Sequence, residues 1–377
     1  MKKGKVYTGF SGVFKFVTIL TLICLVLAYL SPFVHPKTVP FLPFFGLLYP
    51  LILFFVLVLL IFYIFARSRW VFVILAILVI GGKLHFRQFV LGSTKLSEPQ
   101  ENDWKIMSFN VRLFDLYNYS VNQSNVNRLK ILDFLEAEQP DVVCFQEFYH
   151  QDKTKDFPTR DSLIVRLHSK DYHERYSYKS RGRKNFGIAM MSKFPMIAKG
   201  EVPLQLEVGE KSDNYCIFAD INRGDDTIRV YNVHLQSIKL TKNDYTLFDE
   251  QGKAIPNQTG AIENAFIKLR TAYPRRAQQA QLVVEHAETS PYPVVICGDF
   301  NDTPLSYTYN QFYKNFVDAF RESSWGIGST YAGKIPAGRI DYIFHSGNIE
   351  AFNFQIQKMV VSDHRAIWCT IRTKNDK

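Results

Sequence analysis

Residues 41–66 run for 26 positions without one charged side chain, and such a run has few folds open to it. In an apolar surround only a helix satisfies its own backbone hydrogen bonds within one segment. A helix of about 20 residues crosses a bilayer, so this run and the one at about 13–30 both meet the length for spanning. A third apolar run, 70–82, stops at Lys83. It reaches spanning length only as 70–91, continuing through Leu84, Phe86, Phe89 and Val90 with Lys83 and Arg87 snorkelling or buried. Residues 1–92 are therefore read as a transmembrane region of three spans, about 13–30, 41–66 and 70–91. No small-x-small cleavage pattern follows the first run, which reads as an anchor and not as a removable leader.

Charge divides the chain at the same place. The formal net charge is +10, yet residues 101–377 account for only +1 of it. The N-terminus carries Lys2, Lys3, Lys5 and Lys15, the second loop Arg67 and Arg69, and the first loop only Lys37. The positive-inside rule puts the first two in the cytoplasm. With three spans, the C-terminal domain is expected outside a bacterial cytoplasmic membrane, with the lipid bilayer as its partner. No signal of an obligate protein partner is present. The five cysteines form no Cys-x-x-Cys pair. Cys144, Cys216, Cys297 and Cys369 sit in strand-like runs and read as buried apolar residues, so zinc is not expected.

A polar linker, 93–103, contains Pro99 and precedes a domain at 104–377. Strand-like runs at 104–109, 142–145, 186–192, 215–222, 228–235, 294–297, 340–344 and 366–371 alternate with amphipathic helices. One helix carries Val126, Leu129, Leu132 and Leu135. Another is expected to open at Pro274 and to bury Ala277, Ala280, Val284 and Ala287. This is the pattern of an α/β sandwich with functional residues at strand ends.

Six motifs follow one another in this domain: Phe109-Asn110-Val111-Arg112, Phe145-Gln146-Glu147, Asn232-Val233-His234-Leu235, Gly298-Asp299-Phe300-Asn301, Arg339-Ile340-Asp341-Tyr342 and Ser362-Asp363-His364. Together they supply oxygen ligands for a hard divalent cation plus two histidines, the equipment for hydrolysing a phosphate ester. Glu147 and Asn110 read as metal ligands, with Asp363 assisting. Asp299 and Asn301 flank Phe300, one to hold the attacking water and one to donate to a phosphoryl oxygen. His364 reads as the base and Asp341 as its orienting partner. Asn232 and His234 share a strand face and both read as catalytic, His234 placed to donate to the phosphate or to protonate the leaving oxygen. Mg²⁺ is the expected cation, with Mn²⁺ the alternative. His35, His85, His150, His168, His173, His286 and His345 lack such company and read as structural.

These motifs resemble the endonuclease/exonuclease/phosphatase superfamily over about 101–377. The resemblance implies a four-layer sandwich of two mostly antiparallel sheets between helices, and metal-dependent hydrolysis. By motif, Asn110 and Glu147 match the metal-binding amide and acid, and His234 the phosphate-contacting histidine. Asp299 and Asn301 match the pair that orients water and phosphate. Asp341 matches the carboxylate paired with the last histidine, and Asp363-His364 the closing pair. His234 and the strand Phe186-Gly187-Ile188-Ala189-Met190 resemble the deoxyribonuclease-like and sphingomyelinase-like branches.

Three substrate classes stay open: a lipid headgroup or other membrane-proximal phosphoester, nucleic acid, and a small soluble phosphate. Anchoring and a near-neutral domain favour the first. A basic groove around Arg181, Arg183 and Lys184 would favour a nuclease. Residues 238–273, with Tyr245, Phe248, Phe266 and Tyr273, read either as a lid or lipid-facing flap beside His234 or as ordinary surface packing. A catalytically inactive membrane-bound binding module is the reading from another class.

Overall fold

The computed structural model describes residues 3–92, 94–122, 124–152, 157–179, 184–204, 214–238, 258–333 and 338–374. The N-terminal part is helical: α1 (Lys3–Leu30), α2 (Leu42–Leu47), α3 (Tyr49–Phe65), α4 (Trp70–Ile80) and α5 (Gly82–Gln88). On α3 the buried positions are Tyr49, Leu53, Val56, Leu59 and Tyr63, a stripe spaced three and four apart. The remaining faces are as apolar but exposed. The polar groups turn inward: Thr18 Oγ1 lies 3.0 Å from Tyr63 OH, and His85 meets Tyr29, Tyr49 and the carbonyl of Leu78.

The expected spans need correction. Among the described residues, Gly12–Leu30 of α1 is the one unbroken helix long and apolar enough to cross a bilayer. The 41–66 run divides at Leu48 into α2 and the 17-residue α3, because Pro50 has no N–H to give the carbonyl of Gly46. The 70–91 run bends by 66° between α4 and α5. Gly81-Gly82 supply no side chains to hold the helix straight, and Arg87 finds partners outside the bundle. Its guanidinium donates to Asn310 Oδ1 at 2.9 Å and lies 4.6 Å from the centre of the Tyr313 ring.

The C-terminal part contains β1 (Trp104–Asn110), β2 (Val142–Gln151), β3 (Asp171–Lys179), β4 (Lys184–Ser192), β5 (Met196–Val202), β6 (Tyr215–Arg223), β7 (Asp226–His234), β8 (Val294–Asp299), β9 (Val317–Asp318), β10 (Asp341–His345), β11 (Ile349–Ile356) and β12 (Ile367–Thr373). Between them lie α6 (Leu116–Asn122), α7 (Val126–Glu138), α8 (Thr159–Arg166), α9 (Gln258–Glu288), α10 (Tyr307–Tyr313) and α11 (Ala319–Ser323). Two six-stranded sheets form, in the orders β11-β12-β1-β2-β4-β3 and β5-β6-β7-β8-β10-β9. Among the described residues only β1–β2 and β7–β8 pair in parallel.

Alternation puts Ile106, Cys144, Met190, Ile217, Val230, Cys297, Ile343 and Cys369 between the sheets. Ile131, Leu132 and Leu135 of α7 cover the outer face of the first sheet. Ala280, Val283 and Val284 of α9, with Tyr309 and Phe312 of α10, cover the second. The result is the four-layer sandwich, with Cys144, Cys216, Cys297 and Cys369 as buried apolar residues.

Helix α9 begins at Gln258, so Pro274 lies inside it, against expectation. Contacts across the N-terminal unit brace the added turns: Phe266 stacks on Phe44 at 4.3 Å, and Tyr273 meets the same ring edge-on. Those two aromatics are therefore docking contacts and not a lid, while Tyr245 and Phe248 lie outside the described residues. Leu305, fully buried, belongs to the core of the helical unit. Gly46 lets it approach, since a Cβ there would sit 2.5 Å from the Leu305 carbonyl oxygen. The linker is docked as well. Ser97 N–H donates to Asn353 Oδ1 at 3.1 Å, and Val90 pairs with Gly326 through two backbone bonds of 2.9 Å.

Candidate active site

Strand register assembles the centre. His234 on β7 pairs with Asp299 on β8, and Asp299 pairs with Asp341 on β10. Residues opposite one another on neighbouring strands share a face, so the three side chains form one row at the strand ends. Gly298 permits this approach of β7 and β8, because a Cβ there would lie 1.9 Å from the Val233 carbonyl oxygen. His364 arrives from the turn before β12, its Nδ1 3.0 Å from Asp341 Oδ2 and its Nε2 3.6 Å from Asp299 Oδ2. Ligand-type atoms of Asp299, Asp341 and His364 all lie within 4.8 Å of one another. Burial by itself would lower the pKa of His364, but Asp341 and Asp299 together raise it to about 10.

The first sheet contributes from the other side. Asn110 ends β1 and donates Nδ2–H to Asp299 Oδ2 at 2.9 Å. Glu147 sits at a bulge in the β2–β4 pairing and takes φ +48°. Phe145 and Phe148 both pack on the outer face, and that spacing of three requires the extra residue. Burial pushes the Glu147 carboxyl up, and Asp363 and Asp299 push it the same way, while His234 and His364 oppose them. Asp363 lies 3.5 Å from Arg112 Nε. Arg112 opens a run of four positive-φ residues ending at Asp115, a strained turn of the kind stored at functional sites.

Asn301 lies in the left-handed region at φ +55°, held by its N–H to Asp299 Oδ1 at 2.8 Å. Its side-chain amide donates to the carbonyl of Leu235. His234 Nε2 is buried 3.9 Å from Asp299 Oδ2 and has no hydrogen-bond partner among the described residues. A buried donor so placed is one that a ligand can satisfy.

Asn232 needs a different role from the catalytic one expected. Its amide donates to the carbonyls of Phe145 at 3.0 Å and Ala189 at 2.8 Å, and its oxygen accepts from Gln146 Nε2 at 2.7 Å. With those bonds made between the sheets, it ties β7 to β2 and β4 and has no hydrogen left for a substrate.

Two supporting residues carried no sequence signal. Thr330 Oγ1 accepts the N–H groups of Ile340 and Asp341 at 3.0 and 3.1 Å. The Tyr331 ring stands edge-on to His364, centroids 5.3 Å apart. Both lie in a Gly-rich stretch that reads only as turns. Of the expected basic groove, Lys184 is exposed on β4, and Arg181 and Arg183 lie outside the described residues.

The donor set fits a hard divalent cation. Burial holds the Glu147 carboxyl up, Asp363 and Asp299 push it the same way, and Asn110 adds an amide oxygen. The tighter Asp299–His364–Asp341 group is closed on itself, since both Asp341 oxygens face His364 Nδ1. That arrangement orients an imidazole.

Comparison with known proteins gives the family and the fold. The family described as "Endonuclease/Exonuclease/phosphatase family" matches residues 107–364, and a domain of unknown function matches residues 11–88. No curated protein matches the chain significantly. Among solved structures, the endonuclease/exonuclease/phosphatase from Bacteroides vulgatus is similar at 18% identity and a TM-score of 0.52, over 72% of this chain and 100% of its own. The one from Beutenbergia cavernae gives 18% and 0.50, over 72% of each chain. The human Nocturnin catalytic domain, solved with a sulfate anion, gives 17% and 0.50, over 74% of this chain and 96% of its own.

Proposed function

The chain belongs to the endonuclease/exonuclease/phosphatase family, and on that footing we propose that it is a membrane-anchored phosphoester hydrolase acting on a lipid headgroup or another phosphoester at the bilayer surface. The family's enzymes are divalent-metal-dependent hydrolases and nucleases, and a buried Asp–Asp–His cluster is present here. The observation that carries the chemistry is the row His234–Asp299–Asp341 closed by His364.

In this reading Glu147 holds Mg²⁺ or Mn²⁺, with Asn110 and Asp363 beside it. A bound cation neutralises the phosphoester's charge and stabilises the leaving oxygen. Asp341 keeps the proton of His364 on Nδ1, so Nε2 is the atom that exchanges a proton with the attacking water. Asp299 stands 3.6 Å from that Nε2 and orients the water. His234 Nε2 donates to a phosphoryl oxygen, and Asn301 lies next to it.

Leu305 supports the membrane-proximal substrate. It is buried in the helical unit, and four residues of extended chain span at most about 14 Å, so Asn301 lies no farther than that from the end of the bundle. The packing also supports the expected topology. Phe14, near the start of the apolar Gly12–Leu30 stretch of α1, meets Phe62 and Tyr63 at the end of α3, whereas Ser31 after α1 meets Gly46 beside Leu305. If α1 crosses the membrane, the N-terminus and the catalytic domain lie on opposite sides. Arg67 and Arg69 share the N-terminal end, which the positive-inside rule assigns to the cytoplasm. A periplasmic reporter fused at about residue 100 should be active, and an inactive one would reverse the orientation.

The test of function uses the full chain in detergent or nanodiscs. It should hydrolyse bis-p-nitrophenyl phosphate with Mg²⁺ or Mn²⁺ and stop with chelator. Plasmid DNA, RNA, inositol phosphates and mixed phospholipids including sphingomyelin are then assayed side by side. Release of phosphate or headgroup from lipid supports the reading. Efficient DNA nicking with no action on lipid overturns the substrate class, and no metal-dependent turnover on any of them overturns the activity.

A further inference from the structure

We propose that residues 324–333 form a strap whose apolar tip, Trp325 and Ile327, rests in the lipid interface and whose other end braces the His364–Asp341 pair. The strap rests on the reading of the chain as a membrane-anchored hydrolase.

At one end, Gly326 is paired with Val90 by two backbone hydrogen bonds. Val90 comes directly after Phe89, which packs against the helical unit. Because α5 leaves α4 at 66°, it runs across the end of the bundle, and its exit fixes the level of Gly326. Around this bridge the large apolar side chains face outward: Trp325 is 67% exposed, Ile327 49%, and Leu91 78%. They continue the apolar outer surface of the bundle onto the sandwich. Arg321 lies beside them, its Nε 3.1 Å from the Phe86 carbonyl oxygen. An exposed tryptophan with aliphatic neighbours and an arginine suits the boundary between acyl chains and headgroups.

At the other end the strap enters the candidate active site. Thr330 Oγ1 accepts the N–H of Asp341, Thr330 O accepts from Arg365 N–H at 2.8 Å, and Asp363 O accepts from Ala332 N–H at 2.7 Å. Tyr331 forms an antiparallel bridge with His364. Three residues separate Ile327 from Thr330, a reach of at most about 11 Å. A tip resting in lipid therefore holds His364 and Asp341 at a short, fixed distance from the bilayer, the arrangement a phosphoester in a lipid headgroup requires.

The test uses the full chain reconstituted in phosphatidylcholine/phosphatidylglycerol vesicles with brominated phosphatidylcholine as quencher. The tryptophan emission that Trp325→Phe removes should be strongly quenched by the brominated lipid. If that component is as bright as in plain vesicles, the tip is not in lipid and the proposal fails. In the second arm, Trp325→Glu combined with Ile327→Glu should lower the ratio of turnover on vesicle phospholipid to turnover on bis-p-nitrophenyl phosphate by about tenfold or more. An unchanged ratio overturns the coupling to substrate. If the unaltered chain hydrolyses neither substrate, the functional reading fails and the quenching still decides the contact. A chain washed off the vesicles by alkaline carbonate overturns both.

Discussion

On α3 the tyrosines face inward and the phenylalanines outward: Tyr49 is fully buried, while Phe54 is 58% exposed. On β2 the phenylalanines turn inward instead, with Phe145 and Phe148 fully buried and Glu147 partly buried between them. Phenylalanine is sorted oppositely on the two elements because the two surfaces suit different solvents. On α3 every outward position is apolar, and the hydroxyls of Thr18 and Tyr63 meet inside the bundle. In the sandwich the interior between the sheets is mainly apolar, with Asn232 and Gln146 bonded to each other within it, and the ionisable groups of the candidate site gather where the strands end. The border runs through Gly46–Leu305 and Val90–Gly326, and the candidate active site lies a few residues from it on the sandwich side.

The largest expected effect separates the two regions by chemistry. His364→Ala and Asp299→Ala should each reduce turnover of bis-p-nitrophenyl phosphate by about 10³-fold or more with the fold retained by circular dichroism. Steady-state kinetics check this, and wild-type rates in either variant would remove that residue from the machinery.

The second acts on stability. Arg339 and Asp318 form a fully buried ion pair at 2.5 Å, and Arg339 also donates to the carbonyl of Arg87 at 3.2 Å. Arg339→Ala should cost about 3–5 kcal/mol by leaving Asp318 unpaired, seen as a lowered unfolding midpoint. A loss below about 1 kcal/mol would place the pair among those whose desolvation cancels their attraction.

The third tests the border. Gly46→Leu forces a side chain against Leu305 and should cost about 1–3 kcal/mol. Protease sensitivity should appear in the first half of α9 while the core of the sandwich stays protected. Uniform sensitivity would mean that the two regions unfold as one.

The smallest effect is on acid stability at the docked linker. Burial by itself raises the pKa of Glu322, but His345, the Ala351 N–H and Lys95 more than offset this and bring it to about 2. An unfolded glutamate titrates near ~4.3, so this contribution is complete above that pH and is lost as pH falls toward 2. Glu322→Gln should flatten the acid limb of a stability–pH profile by an amount on the order of 1 kcal/mol after solvent screening. A parallel profile would place the acid sensitivity elsewhere.

Much of the sandwich was legible. The strand runs, α7 and the ordered motifs follow from period-two and helical spacing, and β-strand register places His234, Asp299 and Asp341 in the row their positions suggest. The misses have identifiable causes. Helix α9 passes through Pro274 because Phe44 braces its first half. The 70–91 run bends because Arg87 is held by Asn310 and Tyr313. Asn232 turns between the sheets because the carbonyls of Phe145 and Ala189 and the amide of Gln146 are waiting there.

The sequence alone determined which groups this chain can bring to a phosphoester and which of its segments avoid water, since both depend on residue identity and local period. Tertiary structure alone decided that Thr330 and Tyr331 stand behind Asp341 and His364, that the 324–333 stretch ties them to the exit of α5, and that Leu305 is shared with the helical unit. Those relations join residues far apart in the chain through backbone hydrogen bonds and close packing. No local pattern encodes such contacts, because they exist only once both partners have folded.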